Sequence, residues 1–308
     1  MRVLVTGITG AIGIGLAPQL VKAGHEVHGL SRGRNHQMLA EDLPGVRLHT
    51  GDALSGIGLD EALAGVNVAY YLIHSMEPGS DERFGVRERR AAENFAAAAV
   101  RAGVQRIVYL GGLVPAGSPS AHLSSRLTVE HLLREALPET IALRASIVIG
   151  ARSRSFRFIV RLVERMLVLV IPAWGVHRTT PVDERDVLRC LVACADAPQL
   201  AGRSLDLAGT EVVTYQQLIE RIRDQLLLDR PTLRLPGLNL TPIASRISAV
   251  IAAEEHALIG PLMEGLETDL LPHQDLVTEA LGLKPHTLDA AIERALREWE
   301  LTEPLRGR

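Results

Sequence analysis

Near the start of the chain, Gly7-Ile8-Thr9-Gly10-Ala11-Ile12-Gly13 places glycine at every third position. Glycine at this spacing allows a tight turn and a close approach of the backbone to a ligand. If a helix begins there, its first N–H groups are free to bind negative charge, and a dinucleotide pyrophosphate suits them. A glycine pattern alone is a weak signal. Here it follows the apolar run Val3-Leu4-Val5 and precedes helical spacing of Ile12, Leu16, Leu20 and Val21, which is the context the motif requires. Gly7, Thr9, Gly10, Ala11, Ile12 and Gly13 are therefore candidate cofactor contacts. The competing reading is a structural turn.

A second group sits at Leu30-Ser31-Arg32-Gly33-Arg34. A site that prefers NAD usually has an acid here, to accept from the ribose 2′-OH. This chain has none, and the guanidinium groups of Arg32 and Arg34 suit a 2′-phosphate. NADP is the expected cofactor, with NAD possible; otherwise both arginines are solvated loop residues. In Gly51-Asp52-Ala53, Asp52 is placed to accept from the adenine amino group, or else to shape a turn. Ile73 and Gly111, at the ends of two later strands, complete the expected cofactor contacts. Beyond Ile73, His74 and Ser75 are candidates for binding substrate or donating a proton, or for capping backbone.

These residues need elements to hold them. β-rich runs at 3–5, 26–30, 46–49, 68–73, 106–110 and 141–144 alternate with helical patterns, at 11–23, 84–101 and 123–137 among others. That rhythm implies a doubly wound parallel sheet, the Rossmann fold, over residues 1–150. It breaks after Gly150. A smaller, mostly helical region, 151–308, is expected to cover the sheet ends and bind substrate. It includes helices at 152–170, at 184–195 behind an Asp183 N-cap, and from Thr214 to about 227. Arginines 152, 154, 157, 161 and 165 form a stripe there. It reads as a solvated helix face, or as a lid contacting an anionic substrate.

Composition narrows the partners. The 308 residues are 47% hydrophobic and 22% charged, an ordinary globular balance. A net charge of -3 offers no basic field for nucleic acid. Cys190 and Cys194 are too few for a disulfide framework, and no Cys/His cluster has zinc spacing. No signal-peptide pattern is seen, and no apolar stretch reaches the roughly 20 residues of a membrane span. The expectation is a cytoplasmic protein, monomeric or homodimeric, acting on a small-molecule substrate, with no membrane or metal.

Taken together, the chain resembles the atypical, NmrA-like branch of the short-chain dehydrogenase/reductase superfamily. The resemblance is carried by the glycine motif, Gly51-Asp52-Ala53 and Tyr70-Tyr71-Leu72-Ile73-His74-Ser75-Met76. Ala91-Ala92-Glu93-Asn94-Phe95, Arg106-Ile107-Val108-Tyr109-Leu110-Gly111-Gly112, residues 143–150 and residues 181–187 add to it. It spans about residues 1 to 225 and is specific for the family but not for a substrate. Typical members use a Ser after the fifth strand and a Tyr-x-x-x-Lys on the next helix. The Lys lowers the Tyr pKa and binds the nicotinamide ribose, and the Tyr moves the proton.

That machinery is missing. Of 33 basic residues only Lys22 and Lys284 are lysines, and neither lies four positions after a tyrosine. The Ser position reads Gly111-Gly112. Register against the family's Lys-x-x-x-Glu aligns Arg126 with the lysine, Glu130 with the glutamate and His122 with the tyrosine. The resemblance thus implies that Arg126 contacts the nicotinamide ribose and that His122 serves as general acid, near its ordinary pKa of about 6.5. The blander readings are a helix-start histidine and an Arg126–Glu130 salt bridge. The expected activity is reduction of a carbonyl or conjugated enone, with the proton from His122, His74 or water. The alternatives are a redox-neutral isomerase, cyclase or dehydratase, and a protein that senses NADP(H).

Overall fold

Val3 and Val5 face one hydrophobic core and Leu4 the other, all three wholly buried. This alternation is what a strand covered on both faces requires. In the computed structural model, which describes residues 1–33, 36–74, 81–234 and 265–305, that strand is an inner strand of a larger sheet. The strands are β1 (Arg2–Thr6), β2 (Glu26–Ser31), β3 (Val46–Thr50), β4 (Val68–Tyr71), β5 (Arg106–Gly112) and β6 (Ile141–Ala145). Between them lie α1 (Ala11–Lys22), α2 (His36–Asp42), α3 (Leu59–Leu63), α4 (Asp81–Arg101) and α5 (Ala121–Ala136).

After β6 come β7 (Val148–Ile149), α6 (Arg154–Arg165), β8 (Leu169–Ile171), β9 (Arg178–Thr179), β10 (Val182–Asp183) and α7 (Glu184–Ala195). β11 (Ser204–Leu207), β12 (Val213–Thr214), α8 (Tyr215–Gln225) and β13 (Thr232–Arg234) follow. The last helices are Val277–Ala280 and Leu288–Glu300.

Seven strands form one parallel sheet in the order β11-β6-β5-β4-β1-β2-β3. The chain winds outward from β1 in one direction and from β4 in the other. Their junction is the switch point where doubly wound folds place ligands. Thr6 ties this junction together: its hydroxyl donates to Tyr70 O at 2.9 Å and accepts from Leu72 N. One face is covered by α1 and α7, the other by α3, α4 and α5.

A third core, built on Phe156, Trp174, Tyr215 and Trp299, lies in the region past β6. Three short strand pairs, β7–β10, β8–β13 and β9–β12, accompany it. The terminal helix bears on this region: the guanidinium groups of Arg157 and Arg161 both lie over the Trp299 ring, at 4.5 and 4.6 Å from its centre.

Two elements differ from the sequence expectation. The helix read over 152–170 ends at Arg165, and Leu169–Ile171 is a strand paired in parallel with Thr232–Arg234. An apolar run has no intrinsic period, so a distant partner decides its form. The sheet also continues past residue 150, because Ser204–Leu207 supplies its edge strand beside β6. Arg34 and Ser75, both candidate site residues, lie outside the described residues.

Candidate cofactor and substrate site

The glycine turn fits a dinucleotide phosphate. Gly7 has φ +65, and a Cβ on it would stand 2.6 Å from Leu72 O at the mouth of β4. A Cβ on Gly13 would overlap Gly7 O. Both glycines are thus required to fold the turn against the sheet. Gly10 is the N-cap of α1 and brings no side chain to its first turn, which also carries no acid. The leading N–H groups of α1 are left for an external acceptor, at the positive end of a helix. Thr9, Gly10, Ala11, Ile12 and Gly13 all line a cavity of about 900 Å³.

The same cavity runs along the carboxyl ends of the strands. At one end it is lined by Arg32, Asp52 and Ala53, and in the middle by Ile73 and Gly111. The Asp52 carboxylate also accepts from Leu54 N at 3.0 Å, so it shapes its turn while facing the cavity. At the far end stand His74, His122 and Arg126. Every described residue named from the sequence as a cofactor or catalytic candidate therefore borders one cavity.

α5 brings His122 and Arg126 to the same side, as spacing of four on a helix requires. Ser120 caps the helix by accepting from Leu123 N at 3.3 Å. Two further contacts hold it in place. Tyr109 Oη donates to the Arg126 carbonyl at 3.1 Å, and Ser125 Oγ donates to Glu88 Oε2 at 2.7 Å. Arg126 does not pair with Glu130, which instead binds Arg144 at 2.7 Å and Ser204 at 2.6 Å. The Arg126 guanidinium turns to His74, with Nη1 2.5 Å from Nδ1 and 3.0 Å from Nε2. Guanidinium only donates, so the ring nitrogen it meets is an unprotonated acceptor.

The electrostatics correct one expectation. Burial, then the charge of Arg126, pushes the His122 pKa down to about 3. Its Nδ1 is buried with no hydrogen-bond partner, and its ring lies 5.8 Å from that of Phe84. Surrounding protein, then Arg126 and His122, also hold the His74 pKa well below the usual range, although His74 keeps an exposed surface. At neutral pH both imidazoles are uncharged, and neither is the imidazolium acid that an ordinary pKa implied. Tyr109 is no substitute: burial raises its pKa to about 12.

Several lining residues were not singled out from the sequence. Glu184, at the start of α7, is 7% exposed, and burial raises its pKa to about 7. In sequence it reads as a helix-dipole acid behind the Asp183 cap, which hides its place against Gly15 and Gly150. Arg87, Ser146, Arg152, Arg154 and Tyr215 also reach the cavity. Of these, only the arginine stripe carried a signal.

Residues 7–146 match a family described as NAD(P)H-binding. A curated relative, the NADH dehydrogenase [ubiquinone] 1 alpha subcomplex subunit 9, mitochondrial, of Arabidopsis thaliana, is 27% identical over 229 residues. The match covers 72% of this chain and 57% of the relative, so the chain spans little more than half of that protein's length. Among solved structures, a nucleoside-diphosphate-sugar epimerase from Staphylococcus aureus superposes with a TM-score of 0.75 at 16% identity, over 95% of this chain and 100% of that one. The Bordetella bronchiseptica enzyme WbmH in complex with NAD+ gives 0.70 at 16% identity, over 99% of both chains. The fold of this chain is shared with these two proteins.

Proposed function

We propose that the protein is an NADP(H)-dependent reductase of the NmrA-like branch, acting on a small conjugated carbonyl compound in the cytoplasm. The observation that carries this reading is Arg126, on one cavity face with His122 and in contact with His74, both imidazoles being neutral. Such a site is poor at giving a proton and good at holding negative charge, since guanidinium does not deprotonate at working pH. Bound NADPH would supply the hydride. Transfer to the β-carbon of an enone moves charge onto the carbonyl oxygen as an enolate, which Arg126 is suited to stabilise. The α-carbon then takes a proton from water, with no protein acid needed at the hydride step. Neutral His122 and His74 orient the carbonyl and limit water. Arg32, on the cavity wall in place of an acid, supports NADP over NAD.

The test is an anaerobic screen of enones, quinones and aldehydes, following the absorbance of reduced nicotinamide. Oxidation of NADPH with saturation of the alkene supports the reading. Turnover with the cofactor's oxidation state unchanged would move it to the redox-neutral class. A sensor role has its own support, the likeness to a subunit of a respiratory complex. Tight cofactor binding with no turnover of any substrate would favour it.

A further inference from the structure

α6 carries arginines that the structure divides into two sets. Arg157 and Arg161 are committed: Arg161 bonds Glu164 at 2.6 Å and also Glu303, Arg157 reaches Glu303 at 3.6 Å, and both stack on Trp299. Arg152 and Arg154 make no hydrogen bond or ion pair among the described residues, and both are exposed on the cavity wall. Their position is unfavourable for the helix itself. Ser153 is the N-cap and Arg154 the first helical residue, so both charges sit at the positive end of the dipole with no acid in that turn. A solvated helix would place them at the other end. An anion between them would make the arrangement favourable.

A second observation points the same way. Tyr215 lines the same cavity and is 2% exposed. Its hydroxyl lies near that of Thr179, yet neither makes a hydrogen bond of normal geometry. Burial raises its pKa, so it is a neutral O–H donor with an unmet bond. Glu184 lines the same cavity and feels the charge of Arg152, and burial raises its pKa to about 7, which softens its repulsion of an anion.

We infer that the cavity wall at the start of α6 is an anion subsite, in which Arg152 and Arg154, with Tyr215 as a hydroxyl donor, grip a carboxylate or phosphate group of the substrate. The inference rests on the reading of this cavity as a cofactor-and-substrate site. It adds that the substrate is an acid or a phosphate ester.

The test uses full-length protein, with and without saturating NADPH, titrated by calorimetry with inorganic phosphate and separately with malonate. The expected result is binding of at least one anion in the presence of NADPH. Arg152→Gln/Arg154→Gln should weaken it by about tenfold or more, as loss of charge-assisted bonds implies. NADPH affinity should stay within about twofold in that variant. Which probe binds distinguishes phosphate from carboxylate. Displacement of the anion by NADPH would overturn the inference, because the arginines would then serve the dinucleotide's own phosphates. So would equal binding by the double variant, or no binding of either probe. Failure of NADPH itself to bind would instead overturn the proposed function, and the cofactor-free titration would still judge the subsite.

Discussion

At the scale of single residues, the site is governed by charges that cannot move and protons that are hard to place. Arg126 keeps its charge, and it lowers the proton affinity of both His74 and His122. Replacing it by glutamine should raise both histidine pKa values toward 6.5, as followed by NMR titration of the ring protons. Turnover in the same variant should fall by about a hundredfold, the scale of losing one donor to a developing oxyanion. Unchanged histidine titrations would show that burial alone sets them. Glu184 makes a prediction of opposite sign. Its folded pKa of about 7 lies above the ordinary glutamate value of 4.5, so the folded state holds a proton that the unfolded chain has released. Its contribution to stability therefore falls as pH rises from about 4.5 to 7, then levels off. His122 changes in the other direction below pH 6.5, so wild type must be compared with Glu184→Gln at each pH. The variant should gain relative stability across that window, by about 2 kcal/mol at pH 8 in denaturant unfolding. A pH-independent difference would show that the carboxyl is ionised throughout.

At the scale of elements, helices are held where the site needs them by contacts far apart in sequence. α5 is pinned through Tyr109 on β5 and Glu88 on α4, both buried. α6 is clamped through Arg157 and Arg161 to Trp299, whose Nε1 donates to Glu303 at 3.2 Å. Trp299→Ala should destabilise the protein by about 3–5 kcal/mol, the usual cost of emptying a buried aromatic site. Denaturant unfolding measures this, and a loss under 1 kcal/mol would mean that the clamp is marginal. The glycine turn makes a sharper prediction. Gly13→Ala drives a Cβ into Gly7 O, so it should cost about 1–3 kcal/mol and weaken cofactor binding together with stability. Retained affinity would show that the turn can shift without opening.

At the scale of the whole molecule, the sheet supplies a switch point and the region past it supplies a wall. Cofactor should stabilise both, since both border one cavity. At a hundredfold excess over its Kd, NADPH should add about 2.7 kcal/mol to unfolding, with NADH adding less at equal concentration. Equal shifts by the two cofactors would remove Arg32 as a selectivity determinant. Among the described residues, no helix is long and apolar enough to cross a membrane, and no cluster of acids, histidines or cysteines could hold a metal.

Much of this was written in local pattern. Buried runs, Gly7-x-x-Gly10-x-x-Gly13 and the strand–helix alternation determine the sheet and its phosphate turn, because period and glycine geometry act within a few residues. The scarcity of lysine excludes the usual proton relay, and helical spacing puts His122 and Arg126 on one face. Only the tertiary structure decided their chemistry. Proton affinity depends on burial and on charges from other elements, so His122 is neutral and Glu184 is poised near pH 7. The fate of the arginine stripe was decided the same way. Arg157 and Arg161 find Trp299 and Glu303 across more than a hundred residues of chain, while Arg152 and Arg154 face the cavity with no hydrogen bond or ion pair among the described residues. Identical side chains one turn apart take different roles because what they meet comes from elsewhere in the fold.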